Sequence, residues 1–187
     1  MEGAIVFASL IVGVALTDLL TSLHRLLRAR DRVRWDALPL VFAALVVMSV
    51  VMIWWAVAGA SGAITIGGFL PTLATLTLVF LMASASLPDA DGEGPAAGLD
   101  LKAFWDRESR YLWGLLFVLV ALDFVEEIVR NARNLAEVGY YLAQRWVDMG
   151  LLLGVLAAAI VRRRWLDWTV LALMSIGPIT WLGRTLG

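Results

Sequence analysis

The segment WDALPLVFAALVVMSVVMIWWAVA, residues 35–58, decides the fold class of this chain. It is apolar almost throughout and long enough to cross a lipid bilayer, because a helix rises about 1.5 Å per residue and the hydrocarbon core is about 30 Å thick. Backbone polar groups in lipid have no water to bind, so the segment must satisfy them internally as an α-helix. This stretch therefore predicts a transmembrane helix.

Five further segments share this character. They cover residues 3–23, 67–87, 111–128, 138–161 and 165–182. The chain of 187 residues is 61% hydrophobic and has a mean hydropathy of +0.83, which exceeds what a soluble domain of this size carries. We therefore expect an all-α, polytopic membrane protein with six transmembrane helices in a single domain, residues 1–187. The polar loop over residues 88–110 should end in a short amphipathic segment.

The distribution of basic residues predicts how these helices are oriented. Loops that carry Lys and Arg tend to stay on the cytoplasmic side. If the first, third and fifth loops lie there, they hold all of the 15 Lys and Arg except Arg130, Arg133, Arg145 and Arg184. This arrangement puts both termini on the outer side. Because arginine far outnumbers lysine, we expect a multi-pass protein of a bacterial inner membrane. The tryptophans expected to contact lipid at the cytoplasmic interface are Trp35, Trp105, Trp165 and Trp168.

Several residue types are scarce enough to exclude whole classes of function. There is no cysteine, so disulfides, thiolate metal sites and iron–sulfur clusters are excluded. His24 is the only histidine, which excludes bis-histidine haem and multi-histidine metal sites. The chain contains no nucleotide-binding or hydrolase motif, and its net charge of −1 gives no reason to expect nucleic-acid binding. We accordingly predict no enzyme activity, no catalytic residue, no metal and no cofactor.

Three aspartates, Asp18, Asp123 and Asp148, lie inside the predicted membrane helices. A carboxylate in such a position costs on the order of 3 kcal/mol, so it generally has a partner, a water-filled cavity or a function in moving ions. These three residues are the first candidates for a proton or ion pathway.

The neighbours of Asp18 suggest two environments for its carboxylate. Thr21 and Ser22 follow it by three and four residues and so share its helix face. One interpretation is a hydrated lining for protons or a small cation, with His24 as a pH-sensitive gate near the membrane surface. The alternative is that Asp18 bonds neighbouring hydroxyls or an arginine of another helix.

A second group of acids, Asp123, Glu126 and Glu127, lies on one face of the fourth predicted helix. Three ionised carboxylates there would repel one another, so protons, a cation or arginines must relieve them. Glu126 and Glu127 lie near the outer surface, where Arg130 follows at helical spacing, and for these two we favour a structural role. Asp123 lies deeper and is the stronger candidate for function.

The fifth predicted helix contains both a charge pair and a packing motif. Arg145 and Asp148 lie one turn apart, and we favour a structural salt bridge between them over a charge-compensated site or gate. Gly150 and Gly154 form a GxxxG pattern, which predicts close helix packing within the bundle or between protomers.

A weak internal resemblance links the first and fourth predicted helices. At a constant offset, the pattern of Asp18, Arg25 and Arg28 recurs as Asp123, Arg130 and Arg133. Three helices per half would make the second half run upside down relative to the first, as in many secondary transporters. The sequence thus suggests a 3+3 inverted repeat.

The leading hypothesis for function is a small helical bundle that conducts or transports protons or a small cation through these carboxylates. Such a bundle would contact membrane lipids and assemble as a homo-oligomer or within a membrane complex. The alternative is a non-transporting scaffold or accessory subunit of a larger membrane complex, in which the acids tie helices together. A membrane enzyme that acts on lipid head groups is a third and less supported class.

Overall fold

The computed structural model describes residues 2–59, 66–88, 99–131 and 135–183. These residues form seven α-helices, which agrees with the predicted all-α class. The helices are α1 (Glu2–Arg28), α2 (Ala37–Gly59), α3 (Ile66–Ala85), α4 (Leu101–Asn131), α5 (Leu135–Gln144), α6 (Trp146–Ile160) and α7 (Arg164–Leu182). Two short strands, β1 (Val33–Arg34) and β2 (Leu99–Asp100), pair in parallel.

Four of these helices, α1, α2, α3 and α7, are long and apolar enough to cross a membrane. Helices α5 and α6 together add a fifth span if they cross as one broken unit. Apolar side chains also cover the outside of the described bundle: Val6, Leu10 and Leu153 are all more than half exposed. The protein is therefore a multi-pass membrane helical bundle. The predicted count of six spans is not confirmed.

The fourth predicted span, residues 111–128, is part of a longer helix than expected. Helix α4 runs without a break through 31 residues, which corresponds to about 46 Å. The amphipathic segment expected over residues 101–110 is its first part rather than a separate lead-in. Because α4 carries Asp123, Glu126 and Glu127 close to its apolar stretch, it is too charged to be counted with the four apolar spans.

The fifth predicted span, residues 138–161, also differs from a single straight helix. It is divided between α5 and α6, whose axes differ by 74°. Arg145 lies at the junction, with φ −101° and ψ 30°, outside helical geometry. Its backbone N–H still bonds the carbonyl oxygen of Tyr141 at 3.1 Å, so the chain turns without leaving this donor unpaired.

One end of the bundle gathers the first, third and fifth connections, and we call it the basic end. Strands β1 and β2 pair there, and Arg34 forms an ion pair with Asp100 at 3.4 Å. Arg164, at the start of α7, contacts Asp36 at 2.6 Å. These contacts place the three connections on one side, which is the arrangement that the distribution of basic residues required.

The packing of the two halves does not reproduce the suggested inverted repeat. Helix α1 packs most extensively on α3, whereas α4 packs most extensively on α6 and α7 packs on α2. An inverted repeat would make α4 pair with α7 in the way that α1 pairs with α3. The repeat is not confirmed, and Arg133, one of the residues on which it was based, lies outside the described residues.

Candidate functional site

Asp123 lies between two cavities in the half of the bundle away from the basic end. The larger, which we call the apolar cavity, has a volume of about 330 Å³ and lies between α2, α3, α4 and α7. The smaller, which we call the charged cavity, has a volume of about 120 Å³ and lies between α4, α6 and α7. Asp123, Val120 and Met174 line both cavities, so the Asp123 side chain stands at their common wall.

Three charged residues join Asp123 around the charged cavity, and we call the four together the carboxylate cluster. Glu127 lies one turn further along α4, and Arg145 and Asp148 come from the α5–α6 junction. Arg145 donates one N–H to Asp148 Oδ2 at 2.5 Å and a second to Glu127 Oε1. The bend between α5 and α6 thus brings a guanidinium back to α4.

One further contact holds this arginine in place, and the position of Asp148 at the start of α6 supports its ion-pair partner. Its guanidinium carbon lies 5.5 Å from the ring centroid of Tyr141, within cation–π range. Asp148 lies in the first turn of α6, where the helix dipole favours a negative charge. The predicted Arg145–Asp148 pair is therefore present, and Arg145 additionally neutralises Glu127.

The carboxylate cluster contains more negative than positive charge. It has three carboxylates but only one guanidinium, and that guanidinium is committed to Glu127 and Asp148. Among the residues that the structure describes, none forms a hydrogen bond or ion pair with Asp123. Its carboxylate is exposed to the cavities and is left without the partner that its two neighbours have.

Glu126 lies outside this cluster. It pairs with Arg130 of the next helical turn at 3.3 Å, and the arginine side chain is 72% exposed. An ion pair this exposed contributes little to stability. This contact fits the structural role favoured for Glu126, whereas Glu127 belongs to the cluster instead.

The structure does not bring Asp18 and His24 to the cluster. Both side chains are exposed on the outer face of α1, as is Thr21. Thr17 bonds the carbonyl oxygen of Gly13 in its own helix at 2.7 Å. Within the described bundle, the three aspartates therefore do not line one common cavity. The Asp18 side chain is exposed on the outside of α1.

The two glycines of the GxxxG pattern have different environments. A Cβ atom at Gly154 would lie 3.6 Å from a methyl group of Val170, so this glycine faces α7. A Cβ atom at Gly150 would meet nothing within 4 Å of the described bundle. Gly154 belongs to the α6–α7 contact, and Gly150 does not.

A second buried acid, Asp167, was not singled out by the sequence. It is 5% exposed and accepts hydrogen bonds from the indole N–H groups of Trp105 and Trp113, both at 3.0 Å. The ring of Phe42 packs edge-on against both indoles. We call these four residues the aromatic cluster, and it joins α2, α4 and α7 towards the basic end.

The aromatic cluster corrects the interpretation of Trp105 as a lipid-facing residue, because Trp105 is only 1% exposed. A buried indole needs an acceptor for its N–H, and Asp167 supplies one to each of two indoles. Beside it lies a cavity of about 250 Å³ lined by Asp106, Ser109, Arg162 and Arg164 as well as Trp105 and Asp167. Its charges are mixed, with two acids and two arginines.

Fold and site together define a class: a membrane helical bundle in which a carboxylate between two cavities forms no hydrogen bond or ion pair with the described residues. Comparisons with protein families, with curated proteins and with solved structures found no match to this chain.

Proposed function

We propose that this membrane helical bundle moves protons and that Asp123 is the group that binds and releases them. The observation that supports this is the difference between Asp123 and its neighbours: Glu127 and Asp148 share Arg145, whereas Asp123 contacts two cavities instead of a counter-charge. A carboxylate without a counter-charge beside an apolar helix stretch is costly, and in transport proteins such groups serve as proton-binding sites.

A proton fits the carboxylate cluster better than a metal ion does. Within the described ranges, no three acidic or histidine side chains converge on a point where they could hold a metal. A proton needs only one carboxylate oxygen and forms no coordination shell.

The proposed pathway is closed on the side of the basic end in this conformation. Trp113 precedes Asp123 by ten residues, which places it about 15 Å away along α4. Between them, Leu116 and Leu119 face the interior, and Trp113 itself is fully buried in the aromatic cluster. Protons could cross only if these helices shift, which favours a gated transporter over an open pore.

The proposal is tested by proton flux in proteoliposomes that contain a trapped pH-sensitive dye, with a potassium gradient and valinomycin to set the membrane potential. Wild-type protein should acidify or alkalinise the lumen faster than empty vesicles do. Asp123→Asn keeps the shape of the side chain but cannot ionise, so it should reduce the flux roughly tenfold or more.

Asp18→Asn is the matched control, because it removes an aspartate from a membrane helix without touching either cavity. It should leave the flux at the wild-type rate. The proposal is wrong if Asp123→Asn, shown to be folded by its thermal transition, conducts protons as fast as the wild type, or if the wild type gives no flux above empty vesicles.

A scaffold or accessory subunit is the second candidate, and the environment of Asp18 favours it. An acid exposed on α1, itself long and apolar enough to span a membrane, is stabilised if another protein covers it. This candidate predicts that the protein, purified in mild detergent, brings the same other membrane subunits each time. It also predicts that Asp18→Asn weakens that association.

The remaining expectations from the sequence belong to the same proposal. We propose that the protein has no enzyme activity and that it lies in a bacterial inner membrane with both termini outside. There it contacts membrane lipids and assembles as a homo-oligomer or in a membrane complex. The clustering of the basic connections at one end supports the orientation.

A further inference from the structure

We propose that the apolar cavity binds a lipophilic monovalent cation, namely a protonated amine with a compact hydrocarbon body, and that Asp123 holds its charged head. This inference rests on the proposed function and names the class of substrate that would exchange with the proton.

The size and lining of the cavity match such a ligand. A volume of about 330 Å³ lies at the lower end of the range for small-molecule sites. The walls are largely hydrocarbon, with Leu45 and Ile53 from α2, Leu116 from α4 and Met174 from α7. Such walls favour a compact apolar body and leave few polar groups to bind a hydrated one.

The polar groups of the cavity define the charge of the ligand. Among the described residues of the lining, Asp123 is the only ionisable one. The two hydroxyl groups there are those of Ser49 and Thr75, and Ser49 already donates to the carbonyl oxygen of Leu45 at 3.0 Å. A single carboxylate in an apolar site attracts a positive head group and rejects a negative one.

The rest of the carboxylate cluster strengthens this preference. Arg145 is bonded to Glu127 and Asp148 and forms no ion pair with Asp123. A cation bound at Asp123 would give the cluster two positive charges against three negative ones, a smaller imbalance than the cluster has alone. A cationic ligand therefore supplies the positive charge that the described residues do not provide at Asp123.

Other occupants explain less of the site. A lipid acyl chain could fill the apolar cavity, but it would leave the Asp123 carboxylate without a partner. A metal ion would need additional oxygen ligands, and the described lining offers no second carboxylate. Only a ligand with one positive charge and an apolar body uses both features.

Binding at this carboxylate also couples the ligand to the proton. The protonated amine is attracted only to ionised Asp123, so its arrival requires that the proton on Asp123 has left. One positive charge replaces another, and the total charge of the site is unchanged. This competition is the minimum requirement for exchange of a proton against a lipophilic amine.

The test is calorimetric titration of the detergent-solubilised protein with 1-adamantylamine and, separately, with 1-adamantanol, which has the same body without the charge. The amine should bind saturably, and Asp123→Asn should raise its Kd roughly tenfold or more. Adamantanol binding should be weak and should change less than about twofold in the same variant.

Two variants separate the cavity from unspecific uptake by micelles. Thr75→Phe places a ring in the apolar cavity and should weaken the binding of both ligands. Asp18→Asn should leave both unchanged. The inference is overturned if the amine shows no saturable binding, if Asp123→Asn leaves its Kd unaltered, or if the gently purified protein holds a phospholipid that the amine does not displace.

The inference and the proposed function fail in different ways. Proton flux that depends on Asp123 without amine binding leaves the proton function standing and rejects the lipophilic cation. Amine binding that depends on Asp123 without proton flux shows that the cavity is a ligand site and rejects proton transport. Asp123-dependent binding together with Asp123-dependent flux supports both.

Discussion

Asp123 and Asp167 are both aspartates in the helical bundle, but their surroundings are opposite. Asp167 is almost fully buried, and each of its oxygens accepts an indole N–H at 3.0 Å. Asp123 has neither hydrogen bond nor ion pair with the described residues, and it lines two cavities. The Asp167 carboxylate is thus fully hydrogen-bonded by its neighbours, whereas the Asp123 carboxylate is not.

The difference shows why an acid in an apolar helix does not by itself indicate function. The cost of such a group can be offset by fixed donors, and then it ties helices together. Where no fixed donor is present, the group needs water, a proton, a mobile cation or a second protein to stabilise it. The balance of donors and acceptors around each carboxylate, rather than its depth, distinguishes the two cases.

The largest effect on stability is expected from Asp167→Asn. The amide oxygen can accept one indole N–H, but the amide nitrogen then faces the other, and buried donors are left unpaired. We expect a loss of about 3 kcal/mol, seen as a fall of roughly 5–10 °C in the thermal transition in detergent. Asp106→Asn, at an exposed position of the same region, should change the transition little. An unchanged transition in Asp167→Asn would contradict the structural role of the aromatic cluster.

A smaller loss is expected from Arg145→Met. This substitution keeps much of the side-chain length but leaves Glu127 and Asp148 without their shared counter-charge. Because these groups are each about a third exposed, solvent screens the effect, and we expect a loss of about 1 kcal/mol. Arg130→Met removes the exposed pair with Glu126 and is the matched control, with a smaller change. Equal effects of the two variants would show that Arg145 has no special role at the bend.

The smallest effect is expected at Asp100, where β2 leads into α4. Hydrogen bonds from the backbone N–H of Ala103 and then of Lys102, together with the charge of Arg34, hold the pKa of Asp100 below its ordinary value of 3.8. A depressed pKa contributes stability that is present above pH 3.8 and is lost as the pH falls through the folded-state value. Asp100→Asn cannot ionise, so the variant should lack this pH-dependent stabilisation. The thermal transitions of variant and wild type should therefore differ slightly at pH 6 and converge as the pH falls below about 4. If the two thermal transitions differ by the same amount across this pH range, ionised Asp100 does not stabilise the start of α4.

The membrane class and the helical fold could be predicted from the chain because they depend on local composition. The contact between Arg145 and Asp148 could also be predicted, because the two residues lie three positions apart in the chain, at helical spacing. The contact between Arg145 and Glu127 was not, because it joins α4 to the α5–α6 junction. No glycine or proline marks that junction, so the bend could not be predicted from Gln144 and Trp146 on either side.

The aromatic cluster was missed for a related reason. Asp167 follows a run of three arginines, which is typical of a solvated helix start, and its partners Trp105 and Trp113 lie on a different helix. Tryptophan near a membrane surface is usually a lipid anchor. The sequence does not show that α2, α4 and α7 pack together and bury these two indoles. Asp18 shows a similar limit, since the sequence does not say which way its helix face points, and in the structure that face is exposed.

The most direct test of the contrast between the two aspartates is proton flux per folded molecule, with Asp123→Asn and Asp167→Asn measured side by side below the thermal transition of both. We predict that Asp123→Asn is folded and nearly inactive, whereas Asp167→Asn is less stable but, where it is folded, still conducts protons well above the rate of empty vesicles. A folded Asp123→Asn protein that conducts as fast as the wild type would contradict the assignment of Asp123 as the proton-binding group.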